Sequence, residues 1–252
     1  MRRELKTNDQ WGISMKYKAI LFDVGDTLLE HYPSQQQIYA ERLQYLGFDV
    51  DEKSRKNIAD AISKAANEQI MKEQNGAPRM SDEDFEIVLD KAALRCVNFG
   101  KENPEYLEKL RRLPMPNQEL VIIPGTIEAL YIFKDMGFRL GIVSNHRAWL
   151  PDYLKEIGLS QFFETIVVSE IVGVEKPDMR IMQIALENLS LSLNASSCLY
   201  VGDHPFDVLC AKNAGTDCAW LTAPDNILPE SVPYKEDYRI QKLQDLINFI
   251  EI

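Results

Sequence analysis

At 252 residues, 45% hydrophobic and 27% charged, the chain has room for one substantial domain or for a core domain carrying a smaller insert. A net charge of −11 argues against nucleic acid and anionic membrane as partners, but not against an anionic substrate held beside a local cation. No run approaches the length of a membrane-spanning helix.

The first ten residues lack the apolar core of a signal peptide, and Met1 and Met15 are both candidate starts. Residues 19–22 (Ala-Ile-Leu-Phe) are wholly apolar, which predicts a buried central strand, and they stop at Asp23. Gly25, Asp26 and Thr27 are turn formers, so Asp23 is expected where the strand leaves the sheet. Between about Pro33 and Met115 nothing reads as a strand. Four helices are predicted instead: residues 34–46, stopped by Gly47; residues 51–74, broken at Asn75-Gly76; a third opened by the helix-start signature Ser81-Asp-Glu-Asp84; and residues 104–113, ended by Pro114 and Pro116. From Leu120 strands and helices alternate. Helices are expected through Ile127 to Phe133 (closed by Gly137) and over residues 148–157, 178–189, 208–214 and 241–250. Strands are expected over residues 139–144, 164–169, 198–202 and 218–221. Such alternation predicts an α/β fold, a doubly wound parallel sheet covered on both faces. The expected organisation is a core domain of residues 1–32 and 117–252 with an inserted helical domain of residues 33–116. The four cysteines (Cys96, Cys198, Cys210 and Cys218) contain no Cys-x-x-Cys pair and read as buried thiols of a cytoplasmic protein.

Each core strand ends in polar residues: Asp23; Ser144-Asn145-His146; and Gly202-Asp203-His204-Pro205-Phe206-Asp207. Lys176-Pro177 precedes a helix after the third strand. Attack on a phosphate ester needs a carboxylate nucleophile, a divalent cation between anions that repel, and donors for the phosphoryl oxygens. Asp23, Asp203 and Asp207 offer the hard oxygen ligands that Mg²⁺ prefers, and Ser144 and Lys176 offer a hydroxyl and a positive charge.

On these residues the chain resembles the haloacid dehalogenase (HAD)-like hydrolase superfamily, and within it the phosphatase-type members with a C1 cap. Asp23-Val-Gly-Asp-Thr27 is similar to its motif I, Ser144-Asn145 to motif II, Lys176-Pro177 to motif III, and Gly202-Asp203 with Asp207 to motif IV. The resemblance implies a HAD-like Rossmannoid core and makes the helical insert its cap, which would set specificity. It implies that Asp23 is the nucleophile, forming an aspartyl-phosphate. Asp23, the Gly25 carbonyl, Asp203 and Asp207 would hold Mg²⁺, the last directly or through water. Ser144, the Asn145 amide and Lys176 would bind the phosphoryl group, and Thr27 would orient the turn. The implied substrate is a small phosphorylated metabolite.

One departure stands out. In most family phosphatases the residue two after the nucleophile is an aspartate that acts as general acid, and here it is Gly25. General acid–base catalysis contributes about 10²–10⁴-fold, so a slower phosphatase, favouring good leaving groups, is expected. His146 and Asp26 are the candidates for partial replacement of the acid, while His31 and His204 read as hinge and loop-packing residues. Two other readings compete: a HAD-like module that binds a phosphorylated ligand without turnover, and a 2-haloacid dehalogenase, for which the carboxylate pair Asp203 and Asp207 is superfluous.

Overall fold

The computed structural model describes residues 16–250 apart from 75–76, 79, 98–102, 191–194, 223–227 and 229–231. Both candidate starts and the break expected at Asn75-Gly76 lie outside the described residues. The chain forms two units, one of Met1–Glu30 with Ile122–Ile252 and one of His31–Val121.

In chain order the elements are β1 (Ala19–Phe22), β2 (Leu29–Tyr32), α1 (Gln35–Tyr45), α2 (Glu52–Gln74), α3 (Asp82–Val97), α4 (Pro104–Arg112), β3 (Glu119–Ile122), α5 (Thr126–Asp135) and β4 (Arg139–Ser144). There follow α6 (Leu150–Glu156), β5 (Thr165–Val168), α7 (Ser169–Val172), α8 (Met179–Asn188), β6 (Cys198–Gly202), α9 (Pro205–Ala214), β7 (Asp217–Leu221), β8 (Tyr238–Ile240) and α10 (Ile247–Ile250).

Six strands form one sheet in the order β5-β4-β1-β6-β7-β8, and every pairing is parallel. The expected doubly wound α/β fold is therefore present. All four residues of β1 are fully buried, as a run without alternation requires in a strand covered on both faces. The chain winds from β1 to β4 and β5 on one side, then returns to β6, β7 and β8 on the other. The strand order thus reverses between β1 and β6, where ligands bind in open α/β sheets. Register brings the strand ends level: Phe22 pairs with both Ile142 and Val201, and the Asp23 amide donates to the Val201 carbonyl at 2.8 Å.

The helical unit has its own core, which includes Tyr39 and Leu43 of α1, Ile58 and Ile62 of α2, Leu89 and Ala93 of α3 and Leu110 of α4. Ser34 closes a capping box on α1, and Ser81 Oγ accepts the Asp84 amide at the start of α3. A buried ion pair, Arg42 with Asp90 at 3.4 Å, crosses this core, and Arg42 also donates to the Leu110 carbonyl at 2.6 Å.

Three local expectations are corrected. Residues 241–250 are not one helix: β8 precedes them, a 3-10 turn covers Leu243–Leu246, and only Ile247–Ile250 is α-helical. A three-residue strand is too short for periodicity to reveal, and pairing with β7 creates it. Helix α9 starts at Pro205, three residues before expectation, because His204 caps it and proline suits the first helical position. Strands β2 and β3, which pair with each other, and the single turn α7 were not anticipated.

Candidate active site

The α/β unit gathers its polar strand ends into one charged cluster. Asp23 follows β1, Asp203 follows β6, and Asp207 lies in the first turn of α9; one carboxylate oxygen from each stands within 4.8 Å of the others. Lys176 is 4% exposed and Asp207 fully buried. The lysine Nζ donates to Asp207 Oδ1 at 2.6 Å and lies 2.8 Å from Asp23 Oδ1, an ion-pair approach off the line of a good hydrogen bond.

Local structure fixes each group. Asp207 Oδ2 accepts the His204 amide at 2.9 Å, locking the carboxylate to the start of α9. Trp220 Nε1 donates to the Asp203 carbonyl at 2.7 Å, and Thr27 Oγ1 donates to Asp203 Oδ1 at 3.3 Å, so Thr27 joins the motif I turn to β6. Gly202 is obligatory for packing: a Cβ there would lie 2.3 Å from both Cγ and Oδ2 of Asp207.

Among the described residues of this cluster, three carboxylates stand beside one ammonium, an excess of negative charge in a largely buried setting. Burial first, and Asp207 and Asp23 next, push the Asp203 carboxyl well above the usual carboxylate range. Burial raises Asp207 as well, against the pull of Lys176. Burial alone would lower the Lys176 pKa, but Asp207 and Asp23 overrule it and hold the ammonium charged. A divalent cation carries the charge that this cluster lacks, and the donors are the hard oxygens that Mg²⁺ takes; the residues fit that ion.

Of the other candidates, Ser144 ends β4 and is 2% exposed. Asn145 acts through its side chain as well as by position: its Nδ2 donates to the Lys176 carbonyl at 2.9 Å, and its Oδ1 accepts the Lys176 amide at 2.7 Å. This two-bond clamp holds the lysine backbone and has no signature in sequence. Gly25 is exposed, and a Cβ there would meet no atom within 4 Å. Asp26 is exposed in a left-handed conformation (φ 50°), which suits a turn aspartate. The His146 ring accepts the Arg147 amide through Nδ1 and stands edge-on to Trp149 at 4.7 Å. His204 accepts the Phe206 amide through Nδ1, and burial, aided by Lys176, lowers its pKa to about 4, so it is neutral near pH 7. Sequence reasoning missed Tyr200, whose hydroxyl lies 3.1 Å from Lys176 Nζ and 3.2 Å from Asp207 Oδ1. A tyrosine in an otherwise apolar buried strand was the available signal, because a buried hydroxyl needs a partner.

A family profile described as haloacid dehalogenase-like hydrolase matches residues 20–221. The glyceraldehyde 3-phosphate phosphatase of Pyrococcus abyssi is 27% identical over 191 residues, covering 67% of this chain and 79% of that protein. Pyrophosphatase PpaX of Bacillus velezensis is 34% identical over 134 residues, 52% of this chain and 61% of that protein, so the match spans about three fifths of it. Among solved structures, the HAD-hydrolase YfnB of Bacillus subtilis, bound to magnesium, superposes with a TM-score of 0.62 at 21% identity, covering 94% of this chain and 100% of that one. That last likeness is one of fold.

Proposed function

The chain belongs to the haloacid dehalogenase-like hydrolases, and from that premise we propose that it is a Mg²⁺-dependent phosphatase transferring the phosphoryl group of a small phosphorylated metabolite to Asp23 and then to water. The observation that carries the reading is the convergence of Asp23, Asp207 and Lys176, all buried, with the half-buried Asp203 in one cluster. Relatives named as phosphatases support the reaction class.

In this reading an Asp23 oxygen attacks phosphorus, the ester oxygen leaves, and the acyl phosphate so formed is hydrolysed to release phosphate and restore the carboxylate. Asp23, Asp203 and the Gly25 carbonyl would hold Mg²⁺, with Asp207 directly or through water. The ion would supply charge neutralisation between the nucleophile and the phosphoryl group. Lys176 offsets charge on Asp23, while Ser144 and the Asn145 amide bind phosphoryl oxygens. Asn145 adds the positioning of Lys176 through its side chain. The helical unit would serve as the specificity cap. Asp203 and Asp207 favour this reading over dehalogenation, which has no use for them.

The test is p-nitrophenyl phosphate hydrolysis with and without Mg²⁺ beside an Asp23→Asn control. Metal-dependent release lost in the variant is expected; release equal to the control would point instead to a module that binds phosphorylated ligands without turnover. With an alkyl phosphate, His146→Ala and Asp26→Asn measure whether either group supplies the proton that Gly25 cannot. A kcat unchanged in both removes them from that role.

A further inference from the structure

We infer that Tyr200 is a positioning residue, which acts on the reaction through Lys176; the inference rests on the phosphatase reading above. Tyr200 stands in the middle of β6 and is fully buried, with its ring in the apolar cluster formed with Leu21, Val143 and Val208. Phenylalanine would fill that space. The added hydroxyl costs free energy in such a place unless it is bonded, and here it is bonded to the site.

Its partners come from three separate elements. The hydroxyl donates to the Val143 carbonyl of β4 at 2.8 Å, accepts from Lys176 Nζ at 3.1 Å, and has Asp207 Oδ1 at 3.2 Å as a longer, alternative acceptor. Tyr200 pairs with Leu21 of β1, and Leu21 pairs in turn with Gly141 of β4, so the side chain reaches past the central strand to the end of β4. Val143 immediately precedes Ser144. One oxygen atom therefore ties the strand bearing Ser144 to the lysine, beside the α9 carboxylate.

The stoichiometry of donors explains why a neutral acceptor matters. A lysine ammonium has three protons. Asp207 takes one at 2.6 Å and Asp23 approaches another at 2.8 Å with poor direction, while Tyr200 takes the third. Of the two carboxylates, Asp207 makes the shorter and better directed contact with the ammonium. A third carboxylate would hold the lysine equally well but would add negative charge where the phosphoryl anion must come. The phenol holds it without charge.

The experiment compares wild type, Tyr200→Phe, Lys176→Met and the double variant, all full-length and with Mg²⁺ present. It measures p-nitrophenyl phosphate turnover and calorimetric binding of inorganic phosphate. Phenylalanine keeps the apolar contacts of the ring, so a fold check by circular dichroism is expected to match wild type. Tyr200→Phe should lower kcat about 10-fold with KM within about 2-fold, and weaken phosphate binding about 5-fold. If Tyr200 acts through the lysine, it should have no further effect on phosphate affinity once Lys176 is methionine. Wild-type kcat and phosphate affinity in Tyr200→Phe, or effects that simply add in the double variant, would overturn the assignment. If wild type binds phosphate but turns over no ester, the phosphatase reading fails while the affinity cycle still decides the link between Tyr200 and Lys176. Wild type that neither binds phosphate nor turns over overturns both.

Discussion

Replacing Gly202 by alanine tests how tightly the cluster is built. The new Cβ would lie 2.3 Å from Cγ and Oδ2 of Asp207 and 2.7 Å from its Cβ. Ordinary carbon contacts need about 3.5 Å, so the carboxylate must withdraw by roughly 1 Å. Asp207 is fully buried and receives Lys176 at 2.6 Å on one oxygen and the His204 amide at 2.9 Å on the other. A shift of that size breaks or strains both bonds. Hydrogen bonds to charged groups contribute about 1.5–3 kcal/mol each, and overpacking costs about 1–3 kcal/mol. Partial relaxation leaves an expected loss of about 3–5 kcal/mol, or about 6–20 °C in melting temperature for a unit of this size. Urea unfolding measures the loss, and turnover of p-nitrophenyl phosphate should fall in the fraction that remains folded. A variant within about 0.5 kcal/mol of wild type with undiminished turnover would refute the packing argument outright.

Further outcomes follow from the site and its surroundings. The site has open space for a side chain at position 25, so Gly25→Asp should fold as wild type and speed alkyl phosphate hydrolysis, up to the ~10²–10⁴-fold attainable by an acid; the same dependence of rate on leaving-group pKa as wild type would defeat the idea. Added Mg²⁺ at 100 times its Kd should stabilise the protein by about 2.7 kcal/mol, seen as a rise in melting temperature that Asp203→Asn diminishes. Because burial and the neighbouring carboxylates Asp207, Asp23 and Asp26 oppose the ionised Asp203, the metal-free Asp203→Asn variant should melt no lower than metal-free wild type; a large drop would contradict that charge balance. At the other end of the sheet, burial raises the Asp217 pKa, but Lys16 at 2.6 Å and the Tyr17 hydroxyl at 2.5 Å overcome it and hold the carboxyl below its ordinary 3.8. A lowered folded pKa contributes stability above the unfolded value and loses it as pH falls through the folded one. Asp217→Asn should therefore cost about 1 kcal/mol at pH 7 and progressively less below pH 3.8, read from urea midpoints. A deficit independent of pH would show that the charge is not its source.

The strands that build the site were legible because their signal is local. The runs at β1, β4 and β6 were read with the boundaries they have in the fold, since a buried parallel strand must be apolar throughout and the residue that ends it stands out. The same reasoning failed where structure comes from a partner rather than from the run itself. Short β8 exists by pairing with β7, and residues 241–250 break into a turn and a short helix where periodicity suggested one helix.

The same division holds at the active site. Apolar runs and the polar residues closing them determined, by sequence alone, that Asp23, Ser144 and Asp203 would share one edge of a parallel sheet, because every strand of such a sheet points the same way. Tertiary structure decided what those groups do to one another. The order β5-β4-β1-β6 set Asp23 beside Asp203 at the reversal of winding. The loop bearing Lys176 came under the Asn145 side chain, and the Tyr200 hydroxyl reached past β1 to the lysine. None of these contacts has a spacing to read, since they join residues 24, 31 and 180 positions apart through space. Charge and hydrogen-bond direction depend on distances of a few ångströms, and only packing in three dimensions sets those.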